Sequence, residues 1–218
     1  MAHALQARLR GLYAIADSGF RPEVPVLEKV RALLAGGAKV VQLRLKREGG
    51  REALALAREA VPLCRAHDAL CIINDRTDVA LLSGADGVHL GADDLPVDEA
   101  KRIAPNLLLG ATVRDLAGAQ AAAALGADYV GYGPVFGTRT KKLDVPPRGL
   151  EALADVARAS PLPVVAIGGI DLSRMGEVAT DMLLRSLAGG PVADIVLPDE
   201  PQLVIRASTA PPRHHPLK

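Results

Sequence analysis

Three segments place polar chemistry where buried strands should end. In Val40-Val41-Gln42-Leu43-Arg44-Leu45-Lys46, polar and apolar residues alternate, so a period of two sets Gln42, Arg44 and Lys46 on one strand face. Two cations on a buried face cost free energy unless an anion answers them, so the pattern predicts an anion site. The competing reading is an exposed edge strand with solvated Lys and Arg. Asn74-Asp75 ends the run from Leu70, and Asp93-Asp94 follows the Gly87–Leu90 run after Gly91. Both carboxylate sets therefore sit at the ends of neighbouring strands. Hard oxygen ligands there suit Mg2+, which takes one or two carboxylates and completes its shell with water and phosphate oxygens. Magnesium beside Arg44 and Lys46 implies a diphosphate. Taken alone, Asp93-Asp94 ahead of Leu-Pro reads equally well as a helix N-terminus.

Three further features carry weaker signals. The long loop from Gly133 to Lys142 combines Thr138 and Thr140 with Arg139, Lys141 and Lys142, and such hydroxyls and cations can hold phosphate oxygens as a lid. Gly168-Gly169 directly follows the seventh apolar run, where backbone N–H groups commonly meet a phosphate in barrel folds. His89 alternates with apolar neighbours, which predicts a buried, hydrogen-bonded ring rather than a catalytic base.

The elements that must position these groups are legible. Short β-branched runs alternate with Ala/Leu-rich stretches, the signature of repeated βα units on a parallel sheet. Strands are expected at Leu12–Ala16, Val40–Leu45, Leu70–Asn74, Gly87–Leu90, Leu107–Thr112, Tyr129–Gly133 and Val164–Ile167. Helices are expected near Val24–Ala35, Arg51–His67, Val79–Ser83, Val97–Ile103, Leu116–Leu125 and Leu150–Ala159, with Gly36–Gly37, Gly84 and Gly126 as C-caps. A doubly wound sheet fits the same order. Polar loops after every strand favour a (β/α)8 TIM barrel.

The 218-residue chain carries 26 Lys+Arg against 25 Asp+Glu, a net charge of +1, so no broad basic field points to nucleic acid. Its apolar runs fall far short of the roughly 20 residues of a membrane span, and no signal-peptide core opens the chain. A cytoplasmic location is expected. Cys64 and Cys71 lie outside any CxxC spacing and read as two buried thiols.

Together the motifs resemble those of the thiamine phosphate synthase family. The matching pieces are Gln42-Leu43-Arg44-Leu45-Lys46, Ile73-Asn74-Asp75-Arg76, Gly87-Val88-His89-Leu90-Gly91 with Asp94, Asp128 through Phe136, Thr138-Arg139-Thr140-Lys141 and Ala166-Ile167-Gly168-Gly169-Ile170. They run in family order from about Leu12 to Asp171. The resemblance implies a (β/α)8 barrel that joins 4-amino-2-methyl-5-(diphosphomethyl)pyrimidine to 4-methyl-5-(2-phosphoethyl)thiazole, releasing pyrophosphate. It implies that Gln42, Leu43, Arg44, Leu45, Lys46, Asn74 and Lys141 hold the pyrimidine diphosphate. Asp75 and Asp94 would bind Mg2+, and Thr138, Arg139, Thr140 and Gly169 would receive the thiazole phosphate. Arg44, Lys46 and Lys141 would be the catalytic cations, meeting charge on the departing pyrophosphate. Thr112, a further substrate-binding position by the resemblance, stands where the family usually has Ser, so the hydroxyl survives, and Ala92 replaces a usual Gln, so that contact is lost.

After Asp171 the family pattern lapses. Leu172–Leu187 reads as one helix, and Val192–Leu197 is the only plausible eighth strand, so the eighth βα unit is atypical or incomplete. Residues 1–197 are expected to form the barrel domain, and 198–218, with five prolines, a disordered tail. Either the substituted strand closes the barrel, or an altered reading frame leaves it open, exposing two edges that favour a homo-oligomer. Two other functions compete: a thiazole tautomerase, which needs an acid/base histidine, and a non-catalytic binder of pyrimidine diphosphate.

Overall fold

A computed structural model of the chain describes residues 5–137, 146–170, 174 and 194–197. Its strands are β1 (Leu12–Asp17), β2 (Val40–Arg44), β3 (Leu70–Asn74), β4 (Gly87–Leu90), β5 (Leu108–Val113), β6 (Tyr129–Tyr132), β7 (Val164–Ala166) and β8 (Asp194–Leu197). Between them run α1 (Val26–Ala35), α2 (Gly50–Ala66), α3 (Thr77–Ser83), α4 (Val97–Ile103), α5 (Leu116–Ala124) and α6 (Gly149–Ala159). All strand pairs are parallel and follow chain order around a closed barrel, as the βα alternation predicts.

The eighth strand settles one expectation. β8 pairs with β7 through Val165↔Asp194 and with β1 through Tyr13↔Val196, so the barrel is closed despite the atypical sequence. The open barrel, and the need for an oligomer to cover its edges, falls away. The expected helix at Leu172–Leu187, apart from Arg174, and the 198–218 tail lie outside the described residues.

Strand pleating builds two cores from one sequence pattern. Outward residues such as Ala14, Val41, Leu43, Cys71, Ile73, Val88, Leu109 and Val130 pack beneath the helices. Inward residues Tyr13, Val40, Leu70, Ile72, Leu108, Tyr129 and Val165 fill the lumen as a second cluster, with Leu9 below them. Cys64 of α2 and Cys71 of β3 are both buried and free. Three of the helices, α1, α3 and α5, stop beside a left-handed glycine: Gly84 at φ 73° caps α3, and Gly126 at φ 92° follows α5. After α1, Gly36 remains right-handed and Gly37 makes the turn at φ 87°. No helix among the described residues is long and apolar enough to cross a membrane.

Candidate active site

The carboxyl ends of β1 to β4 bring together most of the charged residues singled out in the sequence. Gln42 points inward and donates through Nε2 to Tyr13 OH at 2.9 Å. Arg44, one pleat higher, pairs through Nη1 with Asp17 Oδ2 at 2.5 Å. β2 ends at Arg44, so Lys46 reaches the rim from the loop, where its ammonium pairs with Asp75. The cations therefore face carboxylates across the rim, and the edge-strand reading fails. Leu43 and Leu45 share the segment but not the face. Leu43 is fully buried under the helices and Leu45 packs against the same layer, so only their backbone can serve a ligand at the mouth.

Asp75 owes its aim to a local turn. It sits at φ 64°, a left-handed conformation that Asp tolerates better than most residues. Its N–H donates to the His89 carbonyl at 2.8 Å, and the Arg76 N–H to Asn74 O at 2.8 Å. The turn lifts the Asp75 carboxylate off the end of β3 towards β4, where it meets Asp94. Asp94 is held in turn by the Gly91 N–H, 2.7 Å from Oδ2. It does not cap a helix: α4 begins at Val97 with Pro96 at its N-cap. Burial first, and then the hydrogen-bonding contact with Asp75, push the Asp94 carboxyl above its ordinary pKa. Two carboxyl groups in contact cannot both stay charged without a cation or a shared proton.

That donor set fits Mg2+, which needs only one or two carboxylates and leaves its remaining positions to water and phosphate. Among the described residues no group of three or more His, Cys, Asp or Glu forms a closed metal cage. Arg76, next to Asp75, is engaged at the surface by Asp78 through Nε at 2.8 Å and Nη2 at 2.5 Å.

His89 is buried below the rim, with Nδ1 3.2 Å from Tyr129 OH and Nε2 3.0 Å from Thr112 Oγ1. Burial lowers its pKa to about 4, so the ring is neutral at ordinary pH, as the apolar alternation of β4 predicts. Asn74 ends β3 opposite His89 in the register. Thr112, near the end of β5, is exposed at the mouth.

Two residues that sequence reasoning missed organise this side. Asp17 is buried, and besides holding Arg44 it accepts the Gly19 N–H at 2.7 Å through Oδ1. Its signal is the Tyr13, Ile15, Asp17 alternation, the same period of two that turns Gln42 and Arg44 inward. Lys29, on the buried face of α1, donates to Asp17 O at 2.8 Å and to Phe20 O, fixing the loop after β1. Burial lowers its pKa.

The β6–β7 side is built from backbone. Gly168 and Gly169 adopt φ 96° and 65°, and the loop after β6 lies against them through Val135 N–H to Ile167 O at 2.9 Å and Phe136 N–H to Gly168 O at 3.0 Å. A Cβ on Gly169 would lie 2.4 Å from Gly137 O. Thr138, Arg139, Thr140 and Lys141 lie outside the described residues.

Fold and rim together define a class: a (β/α)8 barrel whose strand ends carry paired carboxylates and opposing cations at its mouth. The family model described as thiamine monophosphate synthase matches residues 12–185, and the chain belongs to that family. The match runs past Asp171, where the motif resemblance stops. A thiamine-phosphate synthase of Myxococcus xanthus is 54% identical over 171 residues, 78% of each chain. One from Anaeromyxobacter dehalogenans is 53% identical over 175 residues, 80% of this chain and 76% of the relative. Among solved structures, a thiamine phosphate pyrophosphorylase from Pyrococcus furiosus superposes with a TM-score of 0.75 at 39% identity, covering 89% of this chain and 87% of the other.

Proposed function

We propose that this enzyme of thiamine biosynthesis condenses 4-amino-2-methyl-5-(diphosphomethyl)pyrimidine with 4-methyl-5-(2-phosphoethyl)thiazole, giving thiamine phosphate and pyrophosphate. The observation that carries the reading is the Asp75–Asp94 carboxyl contact beside Lys46, a donor set suited to a magnesium diphosphate. Relatives at 54% and 53% identity bearing the synthase name support it. Asp75 and Asp94 would hold Mg2+, which when bound neutralises diphosphate oxygens and makes pyrophosphate a better leaving group.

The side chains supply the rest. Arg44, kept in place by Asp17 through Nη1, offers its other N–H groups to diphosphate oxygens, Lys46 exchanges Asp75 for them, and both meet the charge that builds as the C–O bond breaks. Asn74 and the backbone of Leu43 and Leu45 line the approach, and Gln42 closes the lumen below. Loss of pyrophosphate is dissociative, because the electron-rich aminopyrimidine shares the positive charge left on its methylene carbon. The thiazole nitrogen then attacks that carbon, and no general base is required. By the family pattern, Thr138, Arg139, Thr140 and Gly169 receive the thiazole phosphate and Lys141 serves the diphosphate. Positioning and electrostatics do most of the catalysis. Residues 1–197 are the catalytic domain, and 198–218 lies outside it.

The tautomerase alternative is not favoured, because its acid/base role would fall to His89, whose ring nitrogens face two hydroxyls. The test supplies purified full-length protein with both substrates and Mg2+. Thiamine phosphate and pyrophosphate should appear in equal amounts. Binding of the pyrimidine diphosphate without turnover would instead establish the non-catalytic reading.

A further inference from the structure

A chain of polar groups crosses the lumen beneath the rim, and the chemistry above does not use its middle. Gln42 Nε2 donates to Tyr13 OH at 2.9 Å, and Tyr13 OH lies 2.9 Å from Tyr129 OH. Tyr129 OH is 3.2 Å from His89 Nδ1, and His89 Nε2 is 3.0 Å from Thr112 Oγ1. Strands β2, β1, β6, β4 and β5 each contribute one member. The first four are buried, and only Thr112 opens to the mouth.

The two central rings take the space that a side chain on either neighbouring strand glycine would need. A Cβ on Gly110 would lie 2.2 Å from Tyr129 Cζ and 2.5 Å from His89 Nδ1, and one on Gly131 would lie 2.9 Å from His89 Cε1. Both glycines therefore keep the Tyr129 and His89 rings in contact.

Hydrogen counting gives the chain a direction. An amide nitrogen can only donate, and each hydroxyl has one hydrogen. Tyr13 receives from Gln42 and keeps one hydrogen, for which Tyr129 OH is the acceptor within reach, and with Tyr129 accepting there its own hydrogen is directed to His89 Nδ1. A neutral imidazole that accepts at Nδ1 carries its proton on Nε2, and this goes to Thr112 Oγ1. Thr112 has then accepted from below, and its hydrogen is left for the mouth.

We propose that Tyr129 and His89 are positioning residues that hold the Thr112 hydroxyl as a hydrogen-bond donor towards an acceptor atom of the bound substrate. The effect on turnover rests on the synthase reading; the direction of the hydrogen bonds does not. Chained hydrogen bonds polarise one another, so removing an inner link is felt at the end of the chain.

Two measurements test it. Long-range 1H–15N correlation on the full chain, with the His89 ring assigned through bonds to its own backbone, should show a bare Nδ1 and a protonated Nε2. A proton on Nδ1, or averaging of the two tautomers, would overturn the proposal. In kinetics, Tyr129→Phe should lower kcat/KM roughly 3- to 10-fold, the scale of one neutral hydrogen bond. In a Thr112→Val background the same substitution should cost nothing further. Equal losses in both backgrounds would show a merely structural role and sink the idea. If wild type forms no thiamine phosphate, the synthase reading fails while the tautomer still decides the direction of the chain.

Discussion

The two halves of the barrel mouth are made of different material. From β1 to β4 the rim is a lattice of charged side chains: Asp17 with Arg44, Lys46 with Asp75, and Asp75 with Asp94. Around β6 and β7 the described surface is backbone, with Gly168 and Gly169 in left-handed conformations packed against the loop after β6. A charged half can be emptied of chemistry without unfolding, because its residues answer one another at the surface of a finished barrel. A backbone half cannot, since shape and site are the same atoms there.

Asp75→Asn should separate these most sharply. We expect Mg2+-dependent activity to fall roughly 100-fold or more, at least the scale seen on disturbing residues that support a metal ligand. The thermal midpoint should stay close to wild type. Pyrophosphate release measured across a magnesium titration checks this, and full activity at limiting magnesium would reject the metal assignment.

Gly169→Ala is the converse. With its Cβ 2.4 Å from Gly137 O and φ at 65°, it should cost about 2–3 kcal/mol of stability, read from urea unfolding. A variant as stable as wild type would show that the β7 turn is looser than its geometry.

The chain beneath the rim belongs to neither half, and pH probes it. The folded pKa of His89, about 4, lies below the ordinary 6.5, so below pH 6.5 the unfolded chain takes up a proton that the folded one refuses. Its contribution is therefore present above pH 6.5 and declines as pH falls, levelling off near pH 4. The expected loss between pH 7 and 5 is about 2 kcal/mol. Urea unfolding at both pH values, for wild type and His89→Gln, isolates it, and an equal pH dependence in the two proteins would remove the assignment.

The smallest effect is expected at Asp17→Asn, which removes a charge but keeps the shape. Arg44 loses its ionic partner, and KM for the pyrimidine diphosphate should rise several-fold, up to roughly tenfold, with kcat less affected. An unchanged KM would mean that Arg44 is placed by packing alone.

Much of this was legible because strand alternation and side-chain charge are both written locally. β3 and β4 fall at Leu70–Asn74 and Gly87–Leu90, as expected, and Gln42 and Arg44 face inward as their period demands. Lys46 lies beyond β2, yet its length carries it to Asp75. What escaped was non-local. Asp17 has meaning only once the register sets it opposite Arg44, and Tyr13 and Tyr129, 116 positions apart, become one feature only when the barrel closes. Lys29 hides because a cation among apolar helix residues finds its carbonyl partners in a loop after another element. The closing strand was foreseen at Val192–Leu197, but its pairing with both β7 and β1 depends on contacts that no local pattern encodes.

The charged half makes the central claim, and calorimetric titration of pyrimidine diphosphate into wild-type protein, with and without Mg2+, tests it most directly. Tight binding that requires Mg2+ is the expected result. Equal affinity in the presence and absence of the metal would contradict a magnesium diphosphate site at Asp75 and Asp94.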